Sequence, residues 1–297
     1  MTAGESWGYP QASNTGGGSV VRRILLGSQL RRLREAGGIT REAAGYSIRA
    51  SESKISRMEL GRVSFKVRDV EDLLTLYGVT DEGERGALLS LVKEANVAGW
   101  WHSYTDVLPG WFQTYVGLEA AASLIRLYEV QFVHGLFQTE AYMNSVVSRA
   151  MKEPSQAEVD RRVALRLERQ KLLVSENAPE FQVVLDEAAL RRPYGSAEVM
   201  RGQLQHLIEI SERPNVTLQV MPFSVGGHAG ESGAFSMLKF DESDLSDVVY
   251  LEQLTSALYL DKREDVDQYG RAMDELRATA ANPAETRELL RGLLQLA

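Results

Sequence analysis

The stretch TREAAGYSIRASESKISRMELG, Thr40–Gly61, constrains this chain more than any other. Thr40 and Ser51 each head a short helix-forming segment, where a side-chain oxygen can accept from an otherwise orphaned backbone N–H. The spacing predicts one helix from Thr40 to about Ser47 and a second from about Ser51 to Leu60, joined through Ile48-Arg49-Ala50. Ala43, Ala44 and Ile48 on the first, and Ile55 and Met58 on the second, recur at helical spacing and are expected to point inward. The second helix presents Ser51, Glu52, Ser53, Lys54 and Arg57 outward. Two short helices at a steep angle, the second with a polar front, form the helix-turn-helix that enters the DNA major groove.

The charge distribution agrees. Ser19–Arg68 holds 12 Arg and Lys against four acids, a net of +8 in a chain whose total is −8, which leaves −16 for the rest. A basic segment on an acidic remainder suggests one domain that meets phosphate and one that does not. At 297 residues there is room for both. Residues 1–18 are Gly-, Ser- and Asn-rich and are expected to form a disordered tail. Gly16-Gly17-Gly18 lacks the preceding strand and following Gly-Lys of a phosphate loop. The beginning lacks the basic-then-apolar order of a signal peptide, and no long apolar run suits a membrane, so a cytoplasmic, nucleoid-associated protein is expected. With no cysteine, disulfides, thiolate metal sites and cysteine nucleophiles are excluded.

Around the central stretch the pattern stays helical. A first helix is expected from Val20 to Ala36, with Ile24, Leu25, Leu30 and Leu33 as its apolar stripe and Gly37-Gly38 as its stop. Val67–Tyr77 and Asp81–Ala98 supply a fourth and a fifth, which makes residues 19–98 a five-helix all-α domain. The run LRRLREAGGITREAAGYSIRASESKISRMELGR resembles the DNA-binding domain of the lambda-repressor/Cro-like (XRE) regulators over about residues 25–79. The resemblance implies that Ser51, Glu52, Ser53 and Arg57 occupy base-reading positions. It also implies that Arg41 meets phosphate where relatives usually carry Gln, and that Arg34 and Glu59 form a buried structural pair. Arg49 replaces a common turn glycine, so the backbone there either avoids the left-handed region or is strained. The chemistry is compatible: Arg57 can grip guanine O6 and N7, Glu52 can accept from cytosine N4, and Arg41, Arg62 and Lys66 suit backbone phosphates.

Beyond residue 98 the reading is less direct. Trp100 and Trp101 belong to an aromatic cluster that either seals one domain against the next or lines a ligand pocket. Thr114–Leu136 reads as a helix on which Glu119 and Glu129 fall near one face, either solvated or serving a polar pocket. Trp100, Trp101, Glu119 and Glu129 are therefore the candidate ligand or partner pocket. A helix follows over Gln138–Ala150. Ser155 and Glu158 form a capping box that opens a long helix to about Val174, whose Arg161, Arg162, Arg166, Arg169 and Lys171 read as a solvated, salt-bridged face. Strands are expected at Phe181–Leu185, Val216–Val220, Ala234–Phe240, Val248–Leu254 and Leu258–Leu260, with helices over Gly195–Glu212, Val266–Ala280 and Ala284–Leu296. Residues 99–297 thus read as an α+β domain with a small, mostly antiparallel sheet.

Phrases such as Tyr115-Val116-Gly117-Leu118-Glu119, Gly135-Leu136-Phe137-Gln138-Thr139 and Leu218-Gln219-Val220-Met221-Pro222 resemble a C-terminal domain common in helix-turn-helix regulators of filamentous actinobacteria. Such proteins resemble antitoxin-like or developmental regulators that act with a small acidic partner protein, so a partner is implied. The four histidines are scattered without ligand spacing, and no nucleophile, Walker or dinucleotide motif appears. Asp186-Glu187 at a strand end has nothing in the sequence converging on it, and Val225–Gly230 reads as a connecting loop. No enzyme, metal or cofactor is expected. The chain reads as a dimeric, sequence-specific transcription regulator, a repressor or autoregulator controlled through its C-terminal domain by a partner protein or small-molecule effector. The alternative is an antitoxin-like interaction protein whose main role is binding a small partner protein, with DNA binding for autoregulation.

Overall fold

The computed structural model describes residues 18–242 and 245–296. The expected tail lies outside the described residues except for Gly18, which begins the first helix. The chain divides into two compact units, Met1–Trp100 and Trp101–Ala297.

Among the described residues the first unit holds five helices: α1 (Gly18–Ala36), α2 (Arg41–Ser47), α3 (Glu52–Glu59), α4 (Val67–Leu76) and α5 (Glu82–Ala95). Their starts are set by side-chain caps. Thr40 Oγ1 accepts from the Ala43 N–H at 3.1 Å, Ser51 Oγ from Lys54 at 3.2 Å, and Asp81 Oδ1 from Glu84 at 2.7 Å. The core joins Leu26 and Leu30 of α1 to Ala44, Ile55, Met58, Val70, Leu73 and Leu74. Two expectations shift. Ala43 is exposed, and Ala44 and Gly45 are the buried pair of α2. On α1 the buried stripe runs through Leu26 and Leu30, while Ile24 and Leu25 are only half-buried. Gly27 lets α1 touch α3: a Cβ there would sit 2.5 Å from the Met58 carbonyl oxygen and 2.7 Å from that of Glu59.

The second unit is α+β, with elements α6 (Gly110–Glu119), β1 (Leu124–Glu129), α7 (Glu140–Ala150), α8 (Gln156–Gln170), β2 (Glu180–Asp186), α9 (Glu187–Arg191) and α10 (Ala197–Ile210). These are followed by β3 (Val216–Met221), β4 (Phe235–Lys239), β5 (Val248–Glu252), β6 (Ala257–Leu260), α11 (Arg263–Thr279) and α12 (Pro283–Leu296). The strands form one six-stranded sheet in the order β3-β2-β1-β4-β5-β6. β1, β2 and β3 run parallel, whereas β4, β5 and β6 continue antiparallel. The expectation of a small, mostly antiparallel sheet is thereby corrected to a mixed one.

The error has one source. Thr114–Leu136 is not a single helix: α6 ends at Glu119, and Leu124–Glu129 is the central strand. The run Leu-Ile-Arg-Leu-Tyr-Glu is buried on both faces, so it lacks the alternation of a half-buried strand. Glu119 and Glu129 therefore sit on different elements and share no helix face. One sheet face packs Tyr128, Phe235, Met237 and Val249 against Met273 and Leu276 of α11. On the opposite face Tyr115 of α6 lies 4.3 Å, ring to ring, from Tyr250. The outer edge of β3 is closed by the chain itself: Val220 N–H donates to Thr286 Oγ1 at 3.0 Å and its carbonyl accepts from Ala281 at 2.9 Å.

Candidate nucleic-acid interface

α3 is polar in front and apolar behind because its residues alternate at helical spacing. Ile55 and Met58 are buried, and Ser51, Glu52, Ser53 and Arg57 are exposed. Arg57 Nε donates to the Ser53 carbonyl at 3.3 Å, a weak contact that leaves the rest of its guanidinium facing outward. Arg62 and Lys66, in the segment between α3 and α4, are exposed as well. The structure thus brings six of the eight expected DNA-facing residues to the surface on or beside one helix.

The other two are also held by carboxylates. Lys54 Nζ lies 2.7 Å from the buried Asp69 of α4. Arg41 Nε donates to Glu59 Oε2 at 2.9 Å, and about a third of its side chain remains exposed, enough for the rest of the guanidinium to meet phosphate. Glu59 is the hub of a buried brace. It accepts from Arg34 Nε at 2.5 Å and from Arg34 Nη2 at 3.2 Å, and Arg34 also donates to the Ile39 carbonyl at 2.8 Å. The hydrogen bond to Glu59 pushes the Arg34 guanidinium further up from its usual range. The brace ties the end of α1, the start of α2 and the last residue of α3 together, and so fixes the angle of the exposed helix. Arg49, between α2 and α3, has φ +55°, so this turn keeps the left-handed geometry without glycine and bears the strain.

In the second unit the expected pocket residues separate. Trp100 ends the first unit and Trp101, fully buried, begins the second. Glu119 is buried in a bidentate pair with Arg169 of α8, at 2.7 and 3.0 Å, and the Arg169 guanidinium lies 4.9 Å from the centre of the Phe112 ring. The arginines of α8 are consequently not one solvated face. Arg161 pairs with Asp106 at 3.1 Å, Arg162 donates to the Val107 carbonyl at 2.9 Å, and Arg169 is internal. Glu129 stands at the carboxyl end of β1, where burial and the neighbouring Glu252 push its carboxyl up to about 8.

Another constellation was invisible in sequence. Asp186 Oδ1 caps α9 by accepting from Ala188 N–H at 2.8 Å. Its Oδ2 meets the Tyr128 hydroxyl at 3.4 Å and His228 Nε2 at 3.6 Å. Gly230 N–H donates to His228 Nδ1 at 3.1 Å, which in the neutral ring leaves the proton on Nε2, toward Asp186. The loop that read as a plain connection therefore delivers a histidine to the strand-end carboxylate. The neighbouring Glu187 is equally occupied, accepting from Phe223 N–H at 2.8 Å and from Arg191 at 2.5 Å.

Comparison with known families finds two matches. A helix-turn-helix domain covers residues 25–88, and a domain of unknown function, DUF5753, covers residues 112–292. No curated protein and no solved structure matches the chain. Among the described residues no helix is long and apolar enough to cross a membrane. The helix-turn-helix match and the exposed face of α3 support a DNA-binding regulator. Since the second match covers well over half of the sequence, the chain belongs to the family defined by the domain of unknown function DUF5753, carried here behind a helix-turn-helix domain.

Proposed function

We propose that this protein is a sequence-specific transcription regulator of the lambda-repressor/Cro-like (XRE) kind. In this reading α3 enters the DNA major groove, and the second unit is the regulatory input. The observation that carries the reading is the exposed face of α3, with Ser51, Glu52, Ser53 and Arg57 above a buried rear. Arg57 reads guanine, Glu52 selects cytosine and repels a misplaced phosphate, and Arg41, Arg62 and Lys66 hold the backbone. The protein acts as a homodimer on a two-fold operator, at the nucleoid, as a repressor of its own or neighbouring genes, and it works by binding rather than catalysis. The likeness to actinobacterial antitoxin-like regulators supports a small acidic partner protein or a small-molecule effector for the second unit.

The test is direct. An operator is selected from random duplexes with the full chain, and binding is measured by fluorescence anisotropy. Arg57→Ala is expected to cost about 1–3 kcal/mol on the selected site and to relax preference at one base pair. Equal losses on selected and random duplexes would make Arg57 a phosphate contact and remove the assignment.

A further inference from the structure

The order of the strands reverses at β1. From β1 the chain adds β2 and β3 on one side, then returns to lay β4 against its other side. In open sheets the carboxyl end of a strand at such a reversal opens into a crevice that commonly takes a small ligand. Here the sheet register says what lines it. Tyr128 pairs with Phe235 and Ser236 with Tyr250, so continuing both registers, by one step and by two, puts Glu129, Ala234 and Glu252 in one row. Side chains in one row rise on the same face, and two strand spacings set the glutamates about 10 Å apart. Ala234 places only a methyl group between them. Exposure rises from the buried Tyr250, through half-buried Glu129, to the exposed Glu252 at the mouth.

α8 supplies the opposite charge. Arg162, Arg166 and Arg169 stand at intervals of four and three residues and share one side of the helix. Arg169 and Arg162 are engaged with Glu119 and the Val107 carbonyl, as described. Arg166 has no carboxylate at ion-pair distance among the described residues, although Glu252 lies near enough to act on its charge, and it approaches the Arg162 carbonyl at 3.5 Å. Burial, with Arg169 and Arg162 nearby, pushes its guanidinium down to about 10. Glu129 likewise makes no hydrogen bond or ion pair among the described residues. Tyr250 is buried, and its hydroxyl lies against the Glu252 carboxylate. His134, also close to Arg166 and Arg169, is held neutral by burial. Among the described residues Glu252 is the one carboxylate within electrostatic reach of Arg166, across a gap wider than an ion pair, while Glu129 on the same row has no cation against it. Two carboxylates on one row with a single loosely engaged cation above them leave room for a ligand that carries both charges.

We propose that the crevice at the carboxyl end of β1, between Glu129, Glu252 and Tyr250 on the sheet and Arg166 on α8, binds a small zwitterion of the amino-acid class. The amine sits between the two glutamates and the acid group on Arg166. This deepens the reading of the second unit as a regulatory input, but its test uses no DNA, so the two stand or fall separately. An amine at Glu129 favours the ionised carboxylate, so at neutral pH binding releases a proton.

The experiment is calorimetric titration of the full chain with each protein amino acid, with putrescine (amines without an acid) and with succinate (acids without an amine). At least one amino acid is expected to bind saturably, with putrescine and succinate weaker by about tenfold or more. Glu129→Gln and Arg166→Met should each weaken it by a similar factor, and Glu129→Gln should abolish the proton release seen on changing the buffer. Glu252→Gln, at the exposed mouth, gives a third weakened variant should either interior change unfold the unit by circular dichroism. Absence of binding by any amino acid, or binding that survives these substitutions unchanged, overturns the proposal.

Discussion

Glu59→Gln tests the brace beneath α3. The change keeps shape and one acceptor oxygen but removes the carboxylate that neutralises Arg34. Arg34 is 7 % exposed and, apart from one neutral amide oxygen, would keep only the Ile39 carbonyl and the surface carboxylate of Glu35, at 3.2 Å. The new amide would also turn an N–H toward Arg34 or Arg41, where a donor already points. Breaking a buried pair in this way typically costs about 3–5 kcal/mol. For a domain of this size each kcal/mol moves the melting temperature by roughly 4–8 °C, so a fall of more than about 12 °C is expected. The assay is differential scanning calorimetry of the full chain, in which the first unit should melt early while the transition of the second stays in place. The double change Arg34→Met, Glu59→Leu discriminates further, because replacing a buried pair by apolar side chains of similar size is often neutral or stabilising. It should therefore recover most of the loss. A melting temperature unmoved by Glu59→Gln, or a double variant no better than the single one, would refute the reasoning.

Arg62→Ala and Lys66→Ala should weaken specific and random duplexes alike, each lowering the slope of log affinity against log salt by about 1, as titrations over a range of salt would read. Arg49→Gly should stabilise the first unit by roughly 1 kcal/mol, because φ +55° carries no penalty for glycine; a loss of stability in urea melts would contradict this. Since the Glu129 carboxyl in the fold is raised to about 8, above its ordinary value of 4.5, the folded state favours the protonated form. The second unit should accordingly lose stability as pH rises from about 4.5 to 8 and level off above, and Glu129→Gln should flatten that part of the curve in pH-dependent melting.

The first unit was legible because its determinants are local. Thr40, Ser51 and Asp81 cap helices within three residues of themselves, and the alternation of Ile55 and Met58 with exposed serines needs no knowledge of the rest. Arg34 and Glu59 were paired only through family likeness, and the third member, Arg41, went unnoticed because a cation near DNA reads as a phosphate contact. In the second unit local signals fix the capped helices and the outer strands but not β1. That strand is buried on both faces, and its Arg126 is buried and ion-paired to Asp274 of α11, a partner 148 residues away. The Arg169–Glu119 and His228–Asp186 contacts likewise join residues about 40–50 positions apart, across folds that no periodicity encodes.

The glycine at position 27 has a mechanical consequence. With no side chain between them, the α1 backbone rests directly on the carbonyls of Met58 and Glu59, the final residues of α3. Packed main chains cannot slide or tilt past one another without a clash, so the two helices are geared together. A rotation imposed on α1 becomes a change in the pitch at which α3 meets a groove. A single methyl at this position, as in Gly27→Ala, would act as a shim in that gear, altering the angle of the reading helix while leaving every residue on its face in place.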